Sequence, residues 1–436
     1  MISAAIRAFR TPDLRRKLLF TLAIIALFRL GSNLPTPGVS LKAVNFCAGL
    51  AQSGSQAGVY QLVNLFSGGA LLKLSVFALG IMPYITSSII LQLLTVVIPR
   101  LETLKNEGQA GTAKITQYTR YLTVGLAILQ STGIVALARS GKLFQGCSQQ
   151  IIPHTGIFTQ VTMVICMTAG TAVIMWLGEL ITDKGVGNGM SILIFTTVIS
   201  VIPGEMLQIG KVKGYVVLGI VIIIGAAIIG GVVFMEQAQR RIPVQYAKRM
   251  VGRRMYGGTS TYIPLKVNQA GVIPVIFASS LLYIPQLAAS LLSNQNHPSG
   301  WATWINSHLV RGNDPIYMIL FFALTLFFTY FYVAITFNPV EVADNMKKYG
   351  GFIPGIRPGR PTAEYLDYVL TRLTAPGSTY LGLVALIPMI ALAFVGASQQ
   401  FPFGGTSILI TVGVGLDTVK QIESQLQQRN YEGFLR

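Results

Sequence analysis

Histidine and cysteine are scarce in this chain, three of each among 436 residues. His154, His297 and His308 lie between apolar runs, and the cysteines show no metal-ligand spacing, so no metal-centre signature exists. Charge is also thin. Only 11% of residues are charged, where a soluble protein carries about 25%, while 52% are hydrophobic. That balance excludes an ordinary soluble domain and predicts a polytopic membrane protein. Acid is the rarer sign, with 15 acidic residues against 33 basic ones. Glu179, Glu236 and Asp417 fall at or near cytoplasmic ends of apolar runs, and Glu205 falls in an external loop. Ion-coupled carriers place such groups at bilayer depth, so a small-solute secondary transporter with inverted repeats is the second-ranked reading. HExxH, GxxxxGK[ST] and a serine–histidine pair within a span are all missing. Asp417 lacks a second mid-span aspartate to share a proton with. No enzyme, catalytic residue, metal or cofactor is expected.

Long apolar runs are what the chain has. They occupy 18–34, 74–98, 117–138, 156–180, 188–203, 214–235, 269–292, 315–337, 378–396 and 404–421. Solid runs without alternation predict ten transmembrane helices, not barrel strands. No small-residue cleavage site follows the first run, which reads as a retained helix. With the N-terminus inside, 25 basic residues lie on the cytoplasmic side and seven outside, leaving Arg29 within the first helix as the one deep charge. This bias puts both termini in the cytoplasm. Arg29 reads as a paired, structural arginine. Five helices on each side of the external loop near Pro203–Gly214 give halves 1–204 and 205–436, the second inverted, with the working site at their interface. Cys166 falls in an apolar run and reads as packing. Cys47 and Cys147 both fall in external loops; they can pair, although cysteines so far apart in a chain are more often free.

Three features go beyond a plain bundle. "VYQLVNLFSGGALLK", residues 59–73, is apolar but broken by Ser67-Gly68-Gly69, too short to span a bilayer that needs roughly 20 residues. Two cytoplasmic loops, 236–268 and 338–377, are large and basic. The first carries Arg240, Arg241, Lys248, Arg249, Arg253 and Arg254, and turn residues in both loops suggest built projections that suit phosphates or an acidic partner. Neutral polar residues also punctuate two apolar runs. Thr86, Ser87, Ser88 and Gln92 lie on the second helix, and Asn268, Gln269, Ser279 and Ser280 on the seventh. Tight packing accounts for them equally well as an interface meant to open.

The stretches "LFSGGAL", "FALGIMPYITSSIILQLL", "QYTRYLT", "GNGMSILIF", "QRRIPVQYAKR", "PLKVNQAGVIPVIFASS", "FNPVEVADNMKKYGGFIPGIRPG" and "FGGTSILI" occur in order from about Leu14 to Leu435. Together they resemble the SecY family, the channel subunits of the bacterial protein translocase. The resemblance implies an all-α integral membrane protein: ten helices in two inverted halves around a central hourglass pore. It implies a plug at 59–73, with Val59, Tyr60, Leu62, Val63, Leu65, Phe66 and the hinge Ser67, Gly68, Gly69. It implies a pore ring of Ile81, Ile85, Met190, Ile194, Ile276 and Ile410, with Met190 departing from the usual isoleucine. Hydrophobic constrictions of this kind exclude ions by dewetting. Thr86, Ser87, Ser88, Gln92, Asn268, Ser279 and Ser280 then line a lateral gate that releases transmembrane segments into lipid. Arg253, Arg254 and Arg357 match positions contacting the ribosome, through rRNA phosphates, and the motor ATPase SecA. SecE and SecG are the implied membrane partners, and signal peptides, nascent chains and the lipid bilayer are the implied ligands. The implied location is the bacterial plasma membrane.

Overall fold

Each of the ten apolar runs falls on a helix of 16 residues or more. The computed structural model describes residues 11–53, 67–139, 141, 147, 149–153, 156–246, 249–251, 254–256, 260–292, 300, 304–305, 308–309, 314–395 and 405–432. The first half contains α1 (Pro12–Asn33), α2 (Leu41–Ser53), α3 (Met82–Val97), α4 (Pro99–Asn106), α5 (Gln109–Arg139), α6 (Ile157–Lys184) and α7 (Gly189–Lys213). The second opens with α8 (Tyr215–Gln237), then β1 (Gln239–Tyr246), β2 (Arg249–Val251), β3 (Arg254–Tyr256) and β4 (Ser260–Lys266). It continues with α9 (Ile273–Leu292), α10 (Pro315–Thr336), α11 (Pro339–Lys348), β5 (Gly351–Phe352), α12 (Arg360–Val395) and α13 (Gly405–Glu432).

By length and apolarity alone, α5, α6, α8 and the stretch Pro315–Lys348 qualify as membrane-crossing among the described residues. A fifth candidate is the α3–α4 pair, bent by 105°. The apolar parts of α7 and α9, Gly189–Gly204 and Ile273–Leu282, are shorter helical stretches.

Several boundaries differ from expectation, each for a local reason. The run 74–98 becomes helical only at Met82, because Leu74 and Gly80 adopt positive φ (44° and 57°) and residues 74–81 form successive turns. The predicted external loop after Pro203 is helix instead: α7 runs through the proline to Lys213, and the chain turns at Gly214, with φ 88°. At the other side of the membrane, α12 starts at Arg360, so the second half of the loop 338–377 is helical.

The all-α expectation missed a β platform. β1 pairs antiparallel with β4 from Gln239↔Lys266 to Gln245↔Ser260, and β5 adds to its other edge through Gln245↔Phe352 and Tyr246↔Gly351. The two basic loops thus share one sheet. β1 alternates as strands must, with Ile242 and Val244 buried between exposed neighbours. These two pack with Leu265, Met346, Ile353, Leu366 and Val369 in a small core beneath the sheet. A separate hairpin joins β2 to β3.

Helix packing in the first half depends on glycine. A Cβ on Gly189 would lie 1.8 Å from the Gly178 carbonyl oxygen, so α6 and α7 approach as closely as backbone allows. Helices before and after Gly214 meet where α13 and α8 pack on α7 and where α9 touches α3 and α5.

Candidate functional site

The six residues expected as a ring come from four elements. Ile81 caps the N-terminus of α3, and Ile85 follows one turn later. Met190 and Ile194 are likewise a turn apart at the start of α7, where Asn188 Oδ1 accepts from the backbone N–H of Met190 (3.1 Å) and Ser191 (3.3 Å). Ile276 lies on α9 and Ile410 on α13. Ile81, Ile85, Ile194, Ile276 and Ile410 are each under 10% exposed and belong to one continuous apolar cluster. Half-buried Met190 packs on its edge. Its thioether sits over Gly178, where a Cβ would come within 2.5 Å of Sδ.

Hydroxyls expected at the seam turn back on their own helices. Thr86 Oγ1 donates to Met82 O (2.9 Å), Ser87 Oγ to Pro83 O (2.7 Å) and Ser279 Oγ to Ile276 O (2.9 Å). Ser88 is half-buried and Gln92 exposed. Buried Ser280 Oγ has no hydrogen-bond partner among the described residues. Asn268 does not meet Gln92: its Nδ2 donates to Glu236 Oε1 (2.5 Å) at the end of α8 and to Gly271 O (3.2 Å). Among the described residues, α3 and α9 therefore meet through packing without a polar ladder. Ser407 and Thr411, on either side of Ile410, also carry buried hydroxyls without partners, and sequence reasoning passed over both. The signal was there, in two hydroxyls spaced around the apolar "SILI".

Val59, Tyr60, Leu62, Val63, Leu65 and Phe66 lie outside the described residues. The hinge that follows them is described. Ser67 is buried, and Gly68 and Gly69 take φ of 62° and 87°, a left-handed geometry that suits glycine. Arg29 Nη1 donates to Gly68 O at 3.2 Å, so the single deep charge is paired with a backbone carbonyl at the hinge. The chain beyond is strapped to the outer end of α1. Val76 N–H donates to Leu34 O (2.8 Å), Thr36 N–H to Leu74 O (3.0 Å) and Lys73 Nζ to Asn33 Oδ1 (2.7 Å), while Phe28 and Phe77 stack at 5.9 Å.

With this geometry in view, the comparisons are decisive. A model of the SecY family matches residues 75–419. The chain belongs to the SecY family. Protein translocase subunit SecY from Streptomyces coelicolor is 69% identical and that from Mycobacterium tuberculosis 61%, both over the full length of both chains. Among solved structures, one concerns a SecY plug domain that stabilises the closed state of a translocation channel and maintains a membrane seal. It is 19% identical, with TM-score 0.60, covering 94% of this chain and 91% of that one. The yeast Ssh1 complex bound to the 80S ribosome is 15% identical, with TM-score 0.61 and coverages of 93% and 89%. At these identities the structures establish a shared fold.

In this SecY chain the basic platform is partly described. Arg240 and Arg241 are exposed on β1, and the Arg241 guanidinium lies 4.8 Å from the Tyr262 ring centroid. Arg249 and Arg254 fall on the β2–β3 hairpin, while Lys248 and Arg253 lie outside the described residues. Arg357 is exposed on a tight turn between Gly355 (φ 83°) and Gly359 (φ 107°), and its carbonyl accepts from Thr362 Oγ1 at 2.9 Å.

One linkage escaped the sequence reading. Arg120 grips Glu179 with two 2.8 Å bonds, pinning the N-terminal half of α5 to the C-terminal part of α6. Cys47 and Cys147, whose pairing the sequence left open, form a disulfide with Cα atoms 5.5 Å apart. Distance along the chain misleads here because α2 folds back onto the outer ends of α5 and α6. Val44, Cys47, Leu71, Leu72, Ile134 and Ile151 share one core.

Proposed function

We propose that the chain is the protein-conducting subunit of a Sec translocase. It passes unfolded secretory chains through the aliphatic collar and releases apolar segments sideways between α3 and α9. The observation that carries this reading is the convergence of Ile81, Ile85, Ile194, Ile276 and Ile410, from four separate elements, into one buried apolar cluster. Such a constriction excludes ions by dewetting and still fits around a moving peptide. Sideways release is energetically useful: about 20 apolar residues at roughly −0.3 to −0.6 kcal/mol each favour lipid, and one central charge costs about 2.5 to 3.5 kcal/mol. Relatives 69% and 61% identical over their full length are translocase subunits, which leaves the small-solute transporter without support.

In this reading residues 59–73 are the plug, hinged at Ser67–Gly69 and steadied by Arg29. Thr86, Ser87, Ser88, Gln92, Asn268, Ser279 and Ser280 line the gate region, and the two halves are inverted. The site is the plasma membrane with both termini cytoplasmic. The Cys47–Cys147 disulfide supports that orientation, since it requires an oxidising compartment on the side opposite the basic loops. SecE and SecG are the membrane partners. SecA and the ribosome share the platform of Arg240, Arg241, Lys248, Arg249, Arg253, Arg254 and Arg357, a use supported by the ribosome-bound yeast relative in fold.

Deleting 59–73 from the reconstituted complex is expected to raise resting ion leak in planar bilayers, while substrate transport persists. An unchanged leak removes the plug from this account. Arg357→Glu is expected to weaken SecA-driven transport roughly tenfold or more, the value of one charge-assisted contact. Because Arg357 is exposed, the complex should still assemble, and gel filtration checks this. Full transport by that variant takes Arg357 off the docking surface.

A further inference from the structure

The ends of α5 and α6 that lie near Arg139 and Ile157 enclose a cavity of about 570 Å³, within the size range of ligand pockets. Its α5 wall is Thr132, Val135, Ala136 and Arg139, and its α6 wall runs from Ile157 to Ile165 and includes Gln160. The α5 set follows i, i+3, i+4, i+7 spacing, and Ile157, Val161 and Ile165 recur every four residues, so two helical stripes face each other. Ile157, Val161 and Ile165 are 80%, 50% and 61% exposed, so the cleft opens off the side of the bundle toward lipid.

Its depth identifies the occupant. From Ile157 to Ile165 the helix rises roughly 12 Å, against about 15 Å for one leaflet of a 30 Å hydrocarbon core. Deeper in, the cleft is closed where the Ser131 and Thr168 hydroxyls lie 3.3 Å apart, beside fully buried Ala127, Met163 and Met167. A partner's transmembrane helix needs a track through both leaflets, whereas a lipid tail needs only this one. Arg139, the last residue of α5, stands exposed at the wet end with no hydrogen-bond or ion-pair partner among the described residues. A cation at headgroup level above an apolar slot complements an anionic amphiphile.

We propose that this cleft binds a phospholipid of the outer leaflet, with one acyl chain in the cavity and its anionic phosphate on Arg139. The site is separate from the collar and the seam. It requires only that the chain spans a bilayer in the orientation given above.

The test uses the complex with its membrane partners, reconstituted with photoactivatable phosphatidylglycerol or phosphatidylcholine of matched chains. Cross-linked peptides covering 132–139 and 157–165 are then quantified. Phosphatidylglycerol, whose phosphate charge is not offset by a choline cation, is expected to label them about tenfold more than phosphatidylcholine. Arg139→Gln should bring the two lipids to parity, and Ala136→Phe should abolish labelling by both at these peptides alone. Millimolar inorganic phosphate should not compete. Preference that survives Arg139→Gln overturns the proposal, as does competition by phosphate, labelling indifferent to Ala136→Phe, or a partner's helix cross-linking here in place of lipid. Arg139 is exposed, so its variant folds and keeps the test decisive even if the cleft-filling variant does not.

Discussion

Reduction of the Cys47–Cys147 disulfide is expected to lower the stability of the folded chain by about 2–4 kcal/mol. The bond closes a loop of 100 residues, for which chain entropy alone gives about 4.7 kcal/mol. The lower figure applies because α3 and α5, inside the loop, keep their helices in the bilayer even when the outer contacts are lost. The loss should appear as a fall in thermal midpoint in detergent on adding reductant. Cys147→Ser should melt at the same lowered temperature and ignore reductant. Cys166→Ser is the control, since that thiol is free. Equal melting of reduced and oxidised protein refutes the prediction. The same bond ties α2, the helix leading toward residues 59–73, to the chain between α5 and α6, so reduction should also increase resting leak.

Replacing Ile85 and Ile276 together with Asn is expected to increase ion conductance of the resting complex by about tenfold or more. Both residues are buried in the central cluster, Ile85 on α3 and Ile276 on α9, and an amide in a dry constriction recruits water to satisfy its donors and acceptors. The matched double Val variant keeps the surface apolar and removes one methylene per site, so it should stay sealed. If the Asn variant assembles with its partners and remains as tight as the Val variant, these residues do not form the barrier.

The helices were legible because membrane helices announce themselves through apolar length, and each of the ten runs overlaps a helix. Their ends were harder. Nothing in the apolarity of 74–81 reveals the left-handed turns at Leu74 and Gly80, and the polar residues 360–377 gave no hydropathy signal for the start of α12. The β platform was missed because β1 and β4 lie in a basic loop without an apolar run, and β5 is only two residues long and pairs with a strand about a hundred positions away. The collar residues looked like any apolar core and were picked out only by family resemblance. Asn268 was picked out as polar, but its partner Glu236 was not, because only the fold brings the end of α8 against the chain entering α9.

The shared sheet has a mechanical consequence. β1 continues directly from α8, β4 leads into α9, and β5 belongs to the segment bearing Arg357. A load on that arginine is carried across hydrogen-bonded strands to the roots of two bilayer helices, one of which faces the seam. On the proposed function, whatever grips the platform would hold a lever on the side exit, and it could not tug one without straining the other.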